Sequence, residues 1–350
     1  MGLSFVENKN AANDQFRCSV ILPAHNAEAT VAEAIRSVVR QDQSPIELIV
    51  IDDESTDSTV SEVNKAIRDV PFSCQLIRLN ECKHAGAARN RGVANALGDY
   101  VAFLDSDDAW AEDHLASAAQ AFENHAEAVA YCSRVEIRKE NEWTCQGRIE
   151  PADPGYVPPF AARVYRWLLS GNSVWNTTLC VKKDAFQTAG GYHESLRCYE
   201  DLWMTLNVAR QGTFVFCNRI GCLVRTRSSS LSGQADKHGR VFMSPSMYSD
   251  RLSMIQLMRS DSRFTPSEIQ VASDATSRFV SENLSALCRA REFREVLRVS
   301  SVVAKHFRTQ PTLTATVLMR SICLTARVGV GALAVKYGCT TGLTKEKKNT

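Results

Sequence analysis

The stretch Gly98-Asp-Tyr-Val-Ala-Phe-Leu-Asp-Ser-Asp-Asp108 is an apolar run that ends in a cluster of carboxylates. Residues 100–104 predict a short buried strand, because they are continuously apolar and lie between a glycine and acids. Side chains alternate along a strand, so Asp105 and Asp107 are expected on one face if the extended geometry continues. Two adjacent carboxylates repel each other unless a cation such as Mg²⁺ or Mn²⁺ lies between them, which predicts a metal site. The alternative is that Asp107 or Asp108 only caps a helix starting near Ala109.

Strands and helices alternate from the start of the chain up to this stretch. Apolar runs predict further strands at 18–22, 46–51 and 74–79, and helical spacing follows them at 28–40, 58–69 and 85–96. Continuously apolar strands that alternate with helices predict an α/β fold with a mostly parallel central sheet flanked by helices. In such sheets ligands bind beyond the carboxyl ends of the strands, and this chain carries polar residues there, at 23–26, 52–53 and 105–108.

Composition and missing motifs exclude several classes of function. A formal net charge of +2 over 350 residues gives no reason to expect a nucleic-acid partner. The chain has no Gly-x-Gly-x-x-Gly after its first strand and no Gly-x-x-x-x-Gly-Lys-Ser/Thr. Dinucleotide oxidoreductases and P-loop nucleotidases need these loops to bring backbone N–H groups to phosphate, so neither class is favoured.

The cysteines indicate a reducing compartment. The chain has 12 cysteines with no Cys-x-x-Cys pair, and several lie in strand-like apolar surroundings, where a free thiol behaves as a small hydrophobe. No secretory segment is recognisable at the N-terminus, so reduced thiols and a cytoplasmic location are expected. Residues 1–15 are polar and are expected to form a flexible tail.

A family resemblance emerges from motifs that follow one another along the chain. They are Val20-Ile-Leu-Pro-Ala-His-Asn26, Ile49-Val-Ile-Asp-Asp-Glu-Ser-Thr-Asp57, Ala87-Ala-Arg-Asn-Arg-Gly92, Phe103-Leu-Asp-Ser-Asp-Asp108, Ala189-Gly-Gly-Tyr192 and Tyr199-Glu-Asp-Leu-Trp203. In this order they resemble the family 2 glycosyltransferases of GT-A fold over roughly residues 16–235. Glu54 departs from the pattern, because family members often have glycine there; we expect the loop to tolerate it.

The resemblance implies a nucleotide-sugar donor, with a UDP-sugar expected, and a divalent cation, Mn²⁺ or Mg²⁺. It places the donor against Pro23, Ala24, Asn26, Asp52, Asp53, Arg89, Asn90, Asp105, Ser106, Asp107 and Arg225. Asp53 or Asp52 would accept a hydrogen bond from the base, and Asp105 and Asp107 would hold the metal bound to the diphosphate. Arg225 has the alternative of being a solvated surface charge. His25 and His193 are interpreted as loop residues rather than ligands.

The resemblance also implies Asp201 as the catalytic base, with the acceptor beside Trp175, Gly191, Tyr192 and Glu200. Acids in the first turn of a helix stabilise that helix in any case, which is the alternative for Asp201. Core packing is the alternative for Trp175. The acceptor would be a glycan or a lipid-linked saccharide in the synthesis of a cell-surface polysaccharide or glycolipid.

One base and one metal fit direct displacement with inversion at the sugar carbon. An acceptor hydroxyl is a weak nucleophile near neutral pH and needs a carboxylate to take its proton. A glycoside hydrolase would need two carboxylates flanking the sugar, one of them a proton donor. A catalytically inactive scaffold that binds nucleotide sugars is the second hypothesis, and the retention of Asp107 and Asp201 favours the enzyme.

The C-terminal third has a different composition. We predict a catalytic domain at 16–240 and a mainly helical region at 241–350, with an amphipathic helix at 292–306. Residues 312–335 are the most apolar part, but Arg320 and Arg327 argue against a membrane span. We expect these residues to pack on the catalytic domain or on a second subunit in a homo-oligomer. The alternative is that they lie, with the tail lysines, at the inner face of the cytoplasmic membrane.

Overall fold

A computed structural model describes residues 16–139, 160–171, 173–226, 234–235, 241–289 and 292–309. The chain divides into two units, Met1–Phe242 and Met243–Thr350. The first unit contains the central sheet, and the second is helical in its described residues.

The first half of the central sheet is parallel, as its apolar runs predict. Its strands are β1 (Cys18–Ala24), β2 (Glu47–Asp52), β3 (Ser73–Arg78) and β4 (Tyr100–Phe103), in the spatial order β3-β2-β1-β4. The connecting helices are α1 (Val31–Val39), α2 (Thr59–Ala66) and α3 (His84–Asn95). β1 and β2 are buried along their whole length, which explains why both read as uninterrupted apolar runs. The α/β fold predicted from sequence is confirmed.

The second half of the sheet is mixed. It consists of β5 (Ala109–Trp110), β6 (Ala128–Lys139), β7 (Phe160–Ala162), β8 (Cys180–Lys182) and β9 (Thr213–Thr226), with the helices α4 (His114–Asn124), α5 (Tyr165–Leu169), α6 (Lys183–Ala189) and α7 (Glu200–Val208). β8 lies antiparallel between β4 and β6, and β9 is parallel to β6. β5 and β7 both pair antiparallel with β9. The short strands β10 (Gln234–Ala235) and β11 (Val241–Phe242) form a separate pair.

The segment after the acidic stretch differs from the expectation. No helix starts at Ala109, because Ala109 and Trp110 pair with Leu223 and Cys222 of β9 and are buried. The indole N–H of Trp110 donates to the carbonyl of Thr177 at 2.6 Å, which anchors the strand from its other side. The helix begins only at His114.

α3 packs on the sheet at a glycine, which yields a test of the fold. A Cβ at Gly92 would lie 2.5 Å from Ile21 Cγ2 and 2.7 Å from Ile51 Cδ1. Alanine in a helix is normally favoured over glycine by roughly 0.5–1 kcal/mol. We nevertheless expect Gly92→Ala to lower the free energy of unfolding by about 1–3 kcal/mol, because overpacking against the sheet outweighs that gain.

Urea denaturation of the full chain measures the effect. Ala94→Ser, at an exposed position of the same helix, is the control and should leave the midpoint almost unchanged. A midpoint for Gly92→Ala equal to or above that of the wild type would contradict the close packing of α3.

The second unit contains α8 (Pro245–Ser260), α9 (Pro266–Arg289) and α10 (Phe293–Thr309). α10 confirms the predicted amphipathic helix, and Val296, Val299 and Val303 are buried on its apolar side. α9 starts with a capping box: the N–H of Glu268 donates to Thr265 Oγ1, and Glu268 Oε2 accepts from the N–H of Thr265 at 2.7 Å.

The predicted tail at 1–15, the apolar stretch 312–335 and the tail lysines lie outside the described residues. Among the helices that are described, none combines the length and the apolar composition that crossing a bilayer requires.

Candidate active site

Three adjacent parallel strands deliver polar residues to one edge of the sheet. The N–H of Asp53 donates to the carbonyl of Ala24 at 2.8 Å, which joins the ends of β1 and β2. The N–H of Leu104 donates to the carbonyl of Ile21 at 3.1 Å, which joins the ends of β1 and β4. Neighbouring strands lie about 4.8 Å apart, so the loops after β2 and β4 begin within roughly 10 Å of each other.

The loops at this edge contain residues in the left-handed backbone region. In the described part of the chain, positive φ at a non-glycine residue occurs at Asn26 (48°), Glu54 (60°), His84 (67°) and Tyr199 (64°). Each lies at the end of a strand or the start of a helix that borders the site. Such conformations persist where the surroundings hold them, and they cluster at functional sites. Glycine would adopt the φ of Glu54 without steric cost, which is consistent with the glycine that the family resemblance implies at this position.

Asn26 ties the loop after β1 to the loop after β2. Its Oδ1 accepts hydrogen bonds from the N–H of Thr56 at 2.9 Å and from Thr56 Oγ1 at 3.2 Å, and its Nδ2 lies 3.1 Å from His25 Nε2. Asp52 and Asp53 are both buried. Asp52 faces Arg78 at 3.5 Å, whereas Asp53 accepts the N–H of Lys83 at 2.8 Å. Asp52 and Asp53, predicted to bind the nucleotide base, are therefore held in position by contacts with neighbouring residues.

Arg89 is the charged centre of the site. Its Nη2 lies 2.5 Å from Asp105 Oδ1 and its Nη1 lies 3.0 Å from Glu200 Oε1, while the guanidinium packs over the Tyr192 ring. Burial opposes the charge, but Asp105 and the other anionic partners raise the pKa of Arg89 above its ordinary value. The arginine therefore stays charged and joins the end of β4 to the start of α7.

The two acids that open α7 differ in their surroundings. Burial and the neighbouring charge of Asp201 raise the pKa of Glu200 to about 7, although Arg89 works in the opposite direction. Burial also raises the pKa of Asp201, whose Oδ1 accepts the N–H of Leu202 at 2.7 Å. A carboxyl whose pKa is raised toward neutrality is a better proton acceptor than an exposed one, so both acids suit proton transfer.

The acidic stretch forms a turn rather than an extended strand. β4 ends at Phe103, and the N–H of Asp108 donates to the carbonyl of Asp105 at 3.1 Å. The alternation expected to place Asp105 and Asp107 on one face therefore does not extend to Asp107. Burial and the charges of Asp107 and Asp105 raise the pKa of Asp108 well above its ordinary value. The charges of these carboxylates disfavour one another, and a hard divalent cation with oxygen ligands would relieve that repulsion.

Arg225 lies beside this turn and is not a solvated surface charge. Its side chain is 9% exposed and pairs with Glu33 of α1 at 2.8 Å. Its backbone N–H donates to Asp108 Oδ1 at 3.1 Å, and its Nε donates to the carbonyl of Asp107 at 3.2 Å. β9 thus closes one side of the acidic turn.

The predicted acceptor side contains both buried and exposed groups. The hydroxyl of Tyr192 donates to Asn176 Oδ1 at 2.7 Å, and both residues are buried. Asn90, predicted beside the nucleotide, is hydrogen-bonded at both ends of its amide to the backbone of Tyr192 at 2.9 Å. Gly191 has φ +67°, and a Cβ there would lie 2.6 Å from Asn90 Oδ1. Trp175 is 48% exposed, so the core-packing alternative is wrong.

Comparison with known proteins agrees with this geometry. Residues 19–182 match the family model described as Glycosyl transferase family 2. This segment is a family 2 glycosyltransferase domain. It contains Asp53, Arg89 and the acidic turn, and it ends before Asp201.

Curated relatives match this chain over part of their length. A UDP-Glc:alpha-D-GlcNAc-diphosphoundecaprenol beta-1,3-glucosyltransferase, WfaP of Escherichia coli, is 44% identical over 92 residues, which are 26% of this chain and 36% of that protein. Two further curated relatives are covered over 39% and 35% of their own length.

Solved structures confirm the GT-A type of fold. S. aureus TarS 1–349 in complex with UDP-GlcNAc has a TM-score of 0.62 and 17% identity over 95% of each chain. The mannosyltransferase PcManGT from Pyrobaculum calidifontis, in complex with GDP-Man and Mn²⁺, has a TM-score of 0.55 and 17% identity over 93% of this chain and 88% of that one.

Sequence reasoning missed two residues of the family 2 domain that contribute to the site. Glu33 binds Arg225, although 192 positions separate them, and nothing in the helical spacing of α1 marks Glu33 as special. Cys82 lies beside Asp53, with Sγ 3.4 Å from Oδ2. The loop after β3 has no motif, so only the proximity of its strand to β2 could have pointed to it.

Proposed function

We propose that the chain transfers a sugar from a nucleoside diphosphate to an acceptor hydroxyl, with inversion and with Asp201 as general base. The observation that carries this proposal is the double ion pair of Arg89 with Asp105 and Glu200. It holds the acid preceding Asp201 against the end of the strand that carries the Asp105-Ser106-Asp107 motif. A donor diphosphate and an acceptor hydroxyl can therefore meet within one cleft.

The donor side is the edge formed by β1, β2 and β4. Asp53 suits recognition of the base, because its buried carboxylate is oriented by the N–H of Lys83. Pro23, Ala24 and Asn26 would form the floor of the nucleotide pocket. A UDP-sugar is the proposed donor, supported by the UDP-Glc in the name of the E. coli relative.

A divalent cation, Mn²⁺ or Mg²⁺, would be held by Asp105 and Asp107. The mutual repulsion within the acidic turn supports this assignment, because a bound cation offsets it. When bound, the cation neutralises the charge that develops on the departing diphosphate. Arg89 limits the geometry, since one oxygen of Asp105 is already engaged.

Asp201 would remove the proton from the acceptor hydroxyl. Its Oδ1 is oriented by the N–H of Leu202, and the charge of Arg89 counteracts part of the rise in its pKa that burial causes. One base facing one donor fits a single displacement with inversion. A hydrolase would need two carboxylates flanking the sugar, one of them a proton donor, whereas we assign the carboxylates of the acidic turn to a cation.

The acceptor is proposed to be a lipid-linked saccharide or a growing glycan in cell-surface polysaccharide or glycolipid synthesis. The diphosphoundecaprenol in the name of the E. coli relative supports this class. An acceptor on a lipid carrier would require the chain to work at the inner face of the cytoplasmic membrane. The exposed Trp175 is a suitable platform for a sugar ring, because aromatic faces pack well on the apolar faces of sugars.

Donor screening tests the function directly. The full chain is incubated with UDP-, GDP- and dTDP-sugars, with and without Mn²⁺, and release of nucleoside diphosphate is measured with and without lipid-linked saccharide. We expect release with one nucleotide class, stimulated by an acceptor. Tight binding of a nucleotide sugar with no release under any of these conditions would favour the inactive scaffold.

Asp107→Ala tests the metal assignment. We expect Mn²⁺-dependent affinity for the nucleotide sugar to fall by about 10–100-fold or more, the range that loss of a metal-orienting group already causes. Affinity measured in EDTA should change little. Isothermal titration calorimetry with and without Mn²⁺ measures both quantities.

The control is Asp99→Ala, which removes an exposed carboxylate at the other end of β4. It should bind the nucleotide sugar like the wild type in both conditions. If the affinity for the nucleotide sugar depended on Mn²⁺ equally in Asp107→Ala and the wild type, Asp107 would not be a metal ligand.

A further inference from the structure

Three residues outside the acidic turn form a cluster of side chains that could hold a metal ion. His25 follows β1, Asp53 follows β2 and Cys82 follows β3, so three loops supply one residue each. One ring nitrogen, one carboxylate oxygen and the sulfur all lie within 4.8 Å of one another. The set combines nitrogen, oxygen and sulfur.

The histidine has the tautomer that a metal ligand needs. His25 Nδ1 lies 2.7 Å from the backbone carbonyl of Asp53, and a carbonyl oxygen can only accept. Nδ1 therefore carries the proton, and Nε2 has a lone pair, which Asn26 Nδ2 now meets at 3.1 Å. Metal-binding histidines almost always donate their other ring N–H in this way. His25 was interpreted from sequence as a loop residue, and the hydrogen bond supports a different role.

Asp53 and Cys82 are separated by a distance that suits a tetrahedral metal. With metal–sulfur and metal–oxygen distances of about 2.3 and 2.1 Å, tetrahedral geometry separates the two ligand atoms by roughly 3.6 Å. Cys82 Sγ lies 3.4 Å from Asp53 Oδ2. A thiol hydrogen bond occupies the same distance in the absence of metal, so the thiol already points at the carboxylate.

The backbone N–H groups of Lys83 and Cys82 fix both groups through other atoms, and Cys82 Sγ also lies 3.9 Å from His84 Nδ1. Asp53 Oδ1 accepts the N–H of Lys83 at 2.8 Å, which directs Oδ2 toward the sulfur. The backbone N–H of Cys82 donates to Glu54 Oε2 at 2.9 Å. Glu54 has the left-handed backbone that glycine would adopt freely, and this hydrogen bond is what glycine could not supply. The loop is thus held in place by a residue that departs from the family pattern.

We propose that His25, Asp53 and Cys82 bind one divalent cation of the zinc class, with water as the fourth ligand. A thiolate favours zinc-class ions over Mg²⁺ and Mn²⁺, which the acidic turn would prefer. On binding, the Cys82 thiol releases its proton to solvent and the sulfur forms the bond to the metal. Because Asp53 also serves the nucleotide base in the function proposed above, occupancy by zinc and by nucleotide should exclude each other.

Cobalt substitution of the full chain tests the site without any nucleotide. Co²⁺ bound to a thiolate gives a sulfur-to-metal charge-transfer band in the near ultraviolet, which carboxylate sites lack. We expect one equivalent of this band in the wild type, its displacement by Zn²⁺, and its loss in Cys82→Ser. His25→Ala should weaken Co²⁺ binding at least 10-fold, as measured by titration.

Cys74→Ser is the matched control, since Cys74 is a free, half-buried cysteine of β3. It should retain the full band. Circular dichroism checks folding, and His25 and Cys82 are exposed, so their variants are expected to fold. A band of equal intensity in Cys82→Ser, or no band in the wild type, overturns the zinc site. Neither result bears on the proposed transferase, whose assays use Mn²⁺ and a donor. Sugar transfer that Zn²⁺ does not inhibit would overturn only the proposal that zinc and nucleotide exclude each other.

Discussion

Asp201→Asn should slow sugar transfer by about 10²–10⁴-fold, the usual contribution of a positioned general base. The amide keeps the shape of the side chain and can still accept the N–H of Leu202, so the start of α7 should be preserved. It cannot take a proton from the acceptor hydroxyl. The affinity for the nucleotide sugar should change little, because none of the proposed donor contacts comes from Asp201.

The measurement is the turnover rate with saturating donor and acceptor, together with the dissociation constant of the nucleotide sugar. Asp184→Asn is a close control, because Asp184 is in the first turn of α6 and its Oδ1 accepts the N–H of Ala185 in the same way. It should transfer sugar at the wild-type rate. Near-normal turnover in Asp201→Asn would leave only the helix-stabilising role for this acid.

The sequence predicted the parts of the site that depend on local order. The buried strands read as apolar runs because they are covered on both faces, and polar residues at their carboxyl ends necessarily meet at one edge. Asp53 and Asp105 could be placed this way without any knowledge of contacts. The two-residue strand at Ala109 could not be predicted, because its pairing partner in β9 lies more than a hundred positions further along the chain.

Contacts between elements that are distant along the chain could not be predicted from the sequence pattern. Arg89 and Glu200 are 111 positions apart, and no periodicity links α3 to α7. The motif containing Asn90 gave no sign that the amide hydrogen-bonds the backbone of Tyr192, a partner that only the folded chain brings near. The same holds for Glu33 and Cys82, whose roles depend on which loops become neighbours.

Arg89 joins α3 to α7 through its ion pair with Glu200, so Arg89→Met is expected to reduce both stability and transfer. This change leaves the carboxylates of Asp105 and Glu200 without their cation, and breaking a buried pair costs about 3–5 kcal/mol. We expect the lower end of that range, because Asp105 is 33% exposed. Transfer should also be lost, since α7 would no longer be held against the donor edge.

A double-mutant cycle with Glu200→Gln separates electrostatic loss from lost packing. Glutamine removes the stranded charge, so Arg89→Met combined with Glu200→Gln should be more stable than Arg89→Met alone, with a coupling of about 0.5–3 kcal/mol in urea denaturation. Arg89→Lys should recover part of the stability but little transfer, because a single ammonium lacks the fork that reaches both carboxylates at once. Arg91→Met, at an exposed position two residues along the same helix, should match the wild type in both assays. If Arg89→Met proved as stable as Arg91→Met and still transferred sugar, the arginine could not be what joins the donor edge to the catalytic helix.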